Sequence, residues 1–308
     1  MHNQVVVIGS SNIDLIARLS HLPKPGETVG NAESSQAHGG KGANQAVAAA
    51  RAGAAVSFIT SLGDDAFADS MLQDFKRSGI NTDYVVQHKN TPTGTAYIWV
   101  DAQGENSIAV APGANYKLSP DYIDECRILI SGAELILLQL EIPFETVEYV
   151  IDLAASLGKK VMLNPAPAQK LERKHLKALY NLTVNETEAA MISGLPVDSP
   201  EQVMEAGKKL LSMGPEMVVI TLGSRGVFYL TKREQKMVEA YPVKPVDTTA
   251  AGDVFCGVLA SQIVQNKKMM EAIKYANAAA ALSTTRLGAQ PSAPNQQEIK
   301  AFLDQHEF

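Results

Sequence analysis

The sequence predicts an α/β fold, a mainly parallel sheet wrapped by helices with a small antiparallel sheet outside it. Three observations predict this. Short β-branched or aliphatic runs alternate with stretches of helical period, those runs lack the polar alternation of half-exposed strands, and two segments interrupt the rhythm with extended stretches of their own.

In chain order, the first run is Val5-Val6-Val7-Ile8, which stops at Gly9 and carries no polar residue, as a strand covered on both faces requires. An extended segment from about 14 to 37 follows, and then a glycine-rich stretch leads into an alanine-rich helix ending near Gly53. Residues 56–60 form the next buried run. A second interruption, from about 93 to 112, holds the extended stretches 95–100 and 107–111 on either side of the turn Gln103-Gly104-Glu105. Residues 135–140, 161–163, 182–184 and 218–222 are further buried strands. Between them Val147, Val150, Ile151, Ala154 and Leu157 keep the i, i+3, i+4 spacing, with Gly158 as the stop, and Val203, Ala206, Leu210 and Leu211 repeat the pattern. A small two-sided sheet cannot bury its apolar face alone. The two insertions are therefore expected to cover the cleft of one large domain, 1–308, or to pair with another subunit.

Composition narrows the class. The 308 residues carry 27 Lys and Arg against 33 Asp and Glu, a net charge of −6, with 45% hydrophobic residues. This balance argues against nucleic-acid and anionic-membrane partners, which want a basic patch, and favours small molecules. Cys126 and Cys256 lie far apart with no Cys-x-x-Cys spacing, so neither a disulfide framework nor a zinc site is expected. No leader peptide or bilayer-length apolar span is read in the sequence, and a reducing cytoplasm is the expected location.

Ligands of open α/β sheets bind beyond the carboxyl ends of the strands. Asn12 and Asp14 follow the first run, Glu141 follows 135–140, Asn185 and Glu188 follow 182–184, and Gly223 follows 218–222. Each alone could as well be a helix cap or a solvated loop residue. The stretch His38-Gly-Gly-Lys-Gly-Ala-Asn-Gln-Ala46 places glycines before a helix, where backbone N–H groups can face an anion or a cluster of hydroxyls. It is not a Walker loop, since Gly42 rather than Ser or Thr follows Lys41, and it misses the dinucleotide fingerprint at its last position. A plain tight turn remains the rival reading. In Asp247-Thr-Thr-Ala-Ala-Gly-Asp253, small residues precede an apolar helical run over 254–264. Their N–H groups and the helix dipole suit a developing phosphoryl charge. Asp253, in the first turn, is either a partner for that dipole or a base for a hydroxyl proton, and spacing alone fits both.

Taken together, Gly39-Gly-Lys-Gly-Ala-Asn44, Asn185-x-x-Glu188, Thr221-Leu-Gly-Ser-Arg-Gly226 and Asp247-Thr-Thr-Ala-Ala-Gly-Asp253 resemble the ribokinase (PfkB) family of carbohydrate kinases, in order and spacing over essentially the whole chain. Asn12-x-Asp14 and Thr285-Arg-Leu-Gly-Ala-Gln-Pro-Ser292 match its ribokinase branch. The resemblance implies a three-layer α/β/α sandwich with a mainly parallel sheet and an antiparallel lid. It also implies ATP-dependent phosphorylation of D-ribose at O5. Asp253 would be the base, and Ala250, Ala251 and Gly252 would form the anion hole. Asn12, Asp14, Gly40, Lys41, Asn44 and Glu141 would hold the sugar, with Asp253. Asn185 and Glu188 would organise Mg²⁺ and phosphates through water, while Thr221, Gly223, Ser224, Gly226, Gly252 and Asn277 would embrace ATP. A monovalent cation, K⁺ or similar, would be held at Asp247, Thr249, Ser283, Arg286, Gly288 and Ser292, several through carbonyls. The lids of two subunits would pair in a homodimer. Deoxyribose, fructose or a nucleoside such as adenosine are the alternative acceptors. A non-catalytic sugar-binding regulator would show a substituted base or a spoiled anion hole, and a dehydrogenase would need the fingerprint that is missing here.

Overall fold

The computed structural model describes residues 4–306. Along the chain, β1 (Gln4–Ile8) leads to β2 (Asn12–Arg18) and β3 (Glu33–Gly39), then α1 (Lys41–Arg51), β4 (Ala55–Leu62), α2 (Ala66–Arg77) and β5 (Val85–Gln87). Strands β6 (Gly94–Val100) and β7 (Asn106–Ala111) precede a 3-10 turn at Gly113–Lys117, α3 (Pro120–Glu125) and α4 (Arg127–Gly132). The order continues with β8 (Leu135–Leu138), α5 (Phe144–Ser156), β9 (Lys160–Leu163), α6 (Arg173–Leu176), β10 (Asn181–Asn185), α7 (Glu186–Ser193), α8 (Pro200–Ser212) and β11 (Met217–Thr221). It ends with β12 (Val227–Thr231), β13 (Gln235–Val238), α9 (Ala251–Val264), α10 (Met269–Thr284) and α11 (Gln296–His306).

Nine strands form the main sheet in the order β13-β12-β11-β10-β9-β8-β1-β4-β5. All neighbours are parallel except β11–β12 and β12–β13. The inner strands are polar-poor because they are covered twice. One face packs against α1, α2, α9, α10 and α11, the other against α3 to α8. The run expected over 135–140 ends as a strand at Leu138, which puts Gln139 beyond the sheet. The hairpin β12–β13 and the short β5 extend the sheet at its two edges.

The interrupting segments make a second sheet, ordered β3-β2-β6-β7. Its outer pairings are antiparallel and the central β2–β6 pairing is parallel. Asn12 opens this sheet, in register with both Gly39 and Gly94, so three chain crossings between the sheets meet at one point. The turn between β6 and β7 is held by Asp101 Oδ1, which accepts from the amides of Gln103 and Glu105 (2.9 Å each).

Direction along the main sheet reverses between β1 and β8, the switch point where a crevice opens beyond the carboxyl ends. Helices α1 and α9 start at this crevice and cross closely on the same face. Their contact is possible because Gly257 has no side chain: a Cβ there would lie 2.8 Å from Ala48 Cβ and 2.9 Å from Ala49 N. Val258 is wholly buried beside it.

Candidate active site

The helix starts carry the chemistry. Gly40 caps α1 with φ 90°, and a Cβ on it would approach Asn12 N to 2.7 Å, so only glycine lets this loop lie against β2. Ala250 caps α9 in the left-handed region at φ 59°, which turns the backbone so that α9 begins at Ala251 and Asp253 stands in its first turn. Left-handed alanine costs about 1–2 kcal/mol, so the cap is strained, as functional turns often are.

Asp253 is buried at 6% exposure, and its carboxylate is held from α1. Asn44 Nδ2 donates to Oδ2 (3.0 Å) and Gln45 Nε2 donates to Oδ1 (2.9 Å). Asn44 Oδ1 is buried without a hydrogen-bond partner among the described residues, an acceptor that a ligand hydroxyl would satisfy. The ammonium of Lys41 is drawn above its ordinary range by Asp253, against the effect of burial, with Glu141 and Glu188 adding to the pull. Glu141 Oε2 accepts from Ser10 Oγ (2.5 Å) and from Lys41 N (3.0 Å), which ties the end of β8 to the start of α1. Asp14 is pushed up to about 7, first by burial and then by the negative charges of Glu141 and Asp253, with Lys41 opposing.

Asn12, Asp14, Gly40, Lys41, Asn44, Glu141 and Asp253 thus converge on one side of the crevice. On the other, a cavity of about 210 Å³ is lined by Lys41, Asn185, Glu188, Thr221 and the segment 250–253. Asn185 and Glu188 form a capping box at the start of α7. Glu188 Oε2 accepts from Asn185 N (2.9 Å) and Oε1 from Asn185 Nδ2 (3.1 Å), and burial raises its carboxyl above the usual value. Gly223 and Ser224 lie exposed in a 3-10 turn after β11, and Gly226 closes that turn against β13 at φ 95°. Asn277, on α10, donates to Glu239 O (2.8 Å), so its side chain joins α10 to the loop after β13.

A third group lies behind the anion-hole segment. Asp247 Oδ1 accepts from Thr249 N and Oδ2 from Gly288 N, both at 2.9 Å. Partial burial would raise this carboxyl, but these bonds hold it below its ordinary value. The amides of Val246 and Asp247 donate to Thr284 O (2.7 and 3.0 Å), next to Ser283. The guanidinium of Arg286 pairs with Glu298 (2.7 Å), and Ser292 Oγ bonds Ala289 O (2.7 Å). At Arg286 the backbone carbonyl is what remains for a cation, while Ser292 Oγ, having spent its proton on Ala289 O, keeps its lone pairs.

Several residues of this site went unread in the sequence: Ser10, Gln45, Asn115, Gln139 and Asn164. Gln139 and Asn164 follow β8 and β9 directly, so the strand-end rule that selects Glu141 and Asn185 reaches them too. Cys256 lines the cavity wholly buried, and burial drives its thiol pKa well up, away from reactivity.

The geometry has close counterparts. A ribokinase of Haemophilus influenzae is 40% identical over 304 residues, covering 99% of both chains. A deoxyribokinase of Salmonella typhi is 38% identical over 304 residues, covering 98% of this chain and 99% of its own. The structure of Arabidopsis thaliana ribokinase complexed with ribose and ATP superposes with a TM-score of 0.91 at 32% identity, each chain covered in full. Residues 2–296 match the family described as pfkB family carbohydrate kinase, and with the acid, the glycine-capped helix and the strained α9 turn meeting in one crevice, the chain belongs to that family.

Proposed function

We propose that this protein transfers the γ-phosphoryl group of ATP to O5 of D-ribose, giving D-ribose 5-phosphate and ADP. The observation that carries the reading is that the Asp253 carboxylate, oriented from α1, stands on the wall of a cavity that the α9 amino terminus also lines. The full-length ribokinase relatives support the substrate.

Asn12, Asp14, Gly40, Lys41, Asn44 and Glu141 surround the sugar. A site whose buried polar groups need its hydroxyls rejects acceptors that lack them. Asp253 takes the proton of the 5-hydroxyl as that oxygen bonds to the γ-phosphorus, and the bond to the β–γ bridging oxygen breaks to leave ADP. The N–H groups of Ala250, Ala251 and Gly252, with the α9 dipole behind them, stabilise the charge that develops on the transferred group. Thr221, Gly223, Ser224, Gly226 and Asn277 border the nucleotide.

Mg²⁺ bound with ATP supplies neutralisation of the phosphate oxygens. The single buried carboxylate of Glu188, backed by Asn185, fits an ion held mostly by phosphate and water. For K⁺, the donors at Asp247, Thr249, Ser283, Arg286, Gly288 and Ser292 are all oxygens and include one carboxylate, which suits a monovalent cation. It would stiffen the segment that carries the anion hole without meeting substrate.

The sheet β3-β2-β6-β7 acts as the lid that excludes water. Its open groove of about 490 Å³ is lined by Leu15, Ile16, Ala17, Tyr97, Ile98 and Trp99, and a second copy of the chain would cover it in a homodimer. Among the described residues no helix is long and apolar enough to cross a membrane.

The deoxyribokinase relative favours a second acceptor, 2-deoxyribose. ADP release with ATP, Mg²⁺ and K⁺, measured over ribose, deoxyribose, fructose and adenosine, separates them. The highest kcat/KM is expected for ribose; no ribose-dependent turnover defeats the proposal, and a clear preference for deoxyribose replaces it.

A further inference from the structure

Both oxygens of the Asp253 carboxylate are hydrogen-bonded, but the two donors differ in freedom. The difference traces to a backbone carbonyl. Thr183 O can only accept, so Asn164 must turn its Nδ2 toward it (3.1 Å), which leaves Asn164 Oδ1 facing Gln45. Gln45 answers with Nε2, which donates both to Asn164 Oδ1 (3.1 Å) and to Asp253 Oδ1 (2.9 Å). Its own Oε1 accepts from Gln139 Nε2 at 2.6 Å. Gln45 is wholly buried, and both ends of its amide are committed. Asn44, one residue earlier, donates to Asp253 Oδ2, but its own Oδ1 has no partner among the described residues, so none of them fixes that end of its amide.

We propose that Gln45 is a positioning residue, locked through Asn164 to the end of β9 and to Thr183 within β10, with a further bond from Gln139 beyond β8, that reserves Oδ1 of Asp253 for the protein and leaves Oδ2 to take the substrate proton. The chemistry is one-sided. A proton arriving on Oδ2 leaves Oδ1 as a carbonyl that still accepts from Gln45, whereas a proton on Oδ1 would set O–H against N–H. Asn44 can turn from Oδ2 to a sugar hydroxyl as the ligand enters, freeing the reactive oxygen when it is needed. The inference rests on the reading of Asp253 as the base.

The test is steady-state kinetics on Gln45→Met, Asp253→Asn and the double variant of the full chain, with ribose affinity by calorimetry. Gln45→Met is expected to lower kcat by about 30- to 100-fold while ribose KM stays within about 3-fold. In the Asp253→Asn background the same change should alter the residual kcat by less than about 2-fold, because Gln45 acts only through that carboxylate. A merely structural role would multiply the two losses and move KM. Gln45→Asn, which keeps polarity but falls short of Oδ1, serves where Gln45→Met does not fold and should show the same split. A folded Gln45 variant with near-normal kcat, or losses that multiply, overturns the proposal while Asp253 keeps its role. Near-normal kcat in Asp253→Asn overturns both.

Discussion

Asn115 Nδ2 donates to Asn12 Oδ1 over 2.7 Å, joining the turn after the small sheet to the first residue of β2. The orientation is fixed by main chain: Ser11 N donates to Asn115 Oδ1 (2.8 Å), and Asn115 Nδ2 also donates to Ser11 O (3.1 Å). Asn12 therefore spends its oxygen inside the protein and keeps its N–H pair for a ligand, while Asp14, two residues on, offers acceptors. Asn115→Leu keeps the forked shape of the side chain and removes all three bonds. It should raise the KM for ribose about tenfold, leave that for ATP within about twofold, and cost about 1–3 kcal/mol of stability. Paired substrate titrations and thermal melts check this; an equal rise in both KM values would deny Asn115 a role on the sugar side.

The charge around Asp14 predicts a pH dependence. Its carboxyl rises from the ordinary 3.8 to about 7, so across that interval the folded chain holds a proton the unfolded chain has released. Stability contributed by this group is full below the lower value and is lost as pH rises through the upper one. Sugar binding runs the other way, because only the ionised form accepts from a hydroxyl on both oxygens. Below pH about 7, kcat/KM for ribose should fall about tenfold per unit, and Asp14→Asn should move this limb away. A pH profile of kcat/KM for both proteins is the measurement, and an unmoved limb would assign it to another group.

How far the sequence exposes this site depends on the reach of each interaction. The inner strands are legible because burial on both faces strips them of polar residues, and α5 and α8 because half of each helix faces solvent. The outer strand β13 is mostly exposed and no periodicity marks it, whereas β12 carries a buried apolar run over 227–230 of the same kind as the strands before it. Asp253 and the glycines are legible through local order. Gln45 is not, since its partners come from distant parts of the chain and a buried amide on a helix carries no local signature, whereas Asn164, directly after β9, lies within reach of the strand-end rule. Gln139 is hidden because the aliphatic run continues to Leu140 while β8 ends at Leu138, so a residue beyond the strand looks internal to it.

Asp247 links the cation proposal to the anion hole. By accepting from Thr249 N and Gly288 N it pulls the segment before α9 onto the turn after α10, and an adjacent K⁺ would draw on the same oxygens. Replacing K⁺ with a bulky cation such as tetramethylammonium should lower kcat by about tenfold with little change in ribose affinity, as expected for a loosened anion hole. Asp247→Ala should be slow in either salt. If that variant still responds to K⁺ as the parent does, the ion sits elsewhere.

Gly257 sets how closely the two catalytic helices can approach. Asp253 rides on α9 one helical turn before it, and Asn44 and Gln45 ride on α1 directly across. A side chain at 257 would meet Gln45 O as well as Ala48 Cβ, and backbone cannot yield as a flexible side chain would. Gly257→Val should therefore force α9 away from α1 at a cost of about 1–3 kcal/mol, lowering the melting temperature by about 3 °C or more. The same displacement lengthens the bonds from Asn44 and Gln45 to the carboxylate, so kcat should fall by at least about tenfold in the protein that remains folded. Gly257→Ala, with only the first methyl, should show a smaller loss of the same kind. A Gly257→Val protein that melts as the parent does, with full turnover, would mean that the helices part without disturbing the acid.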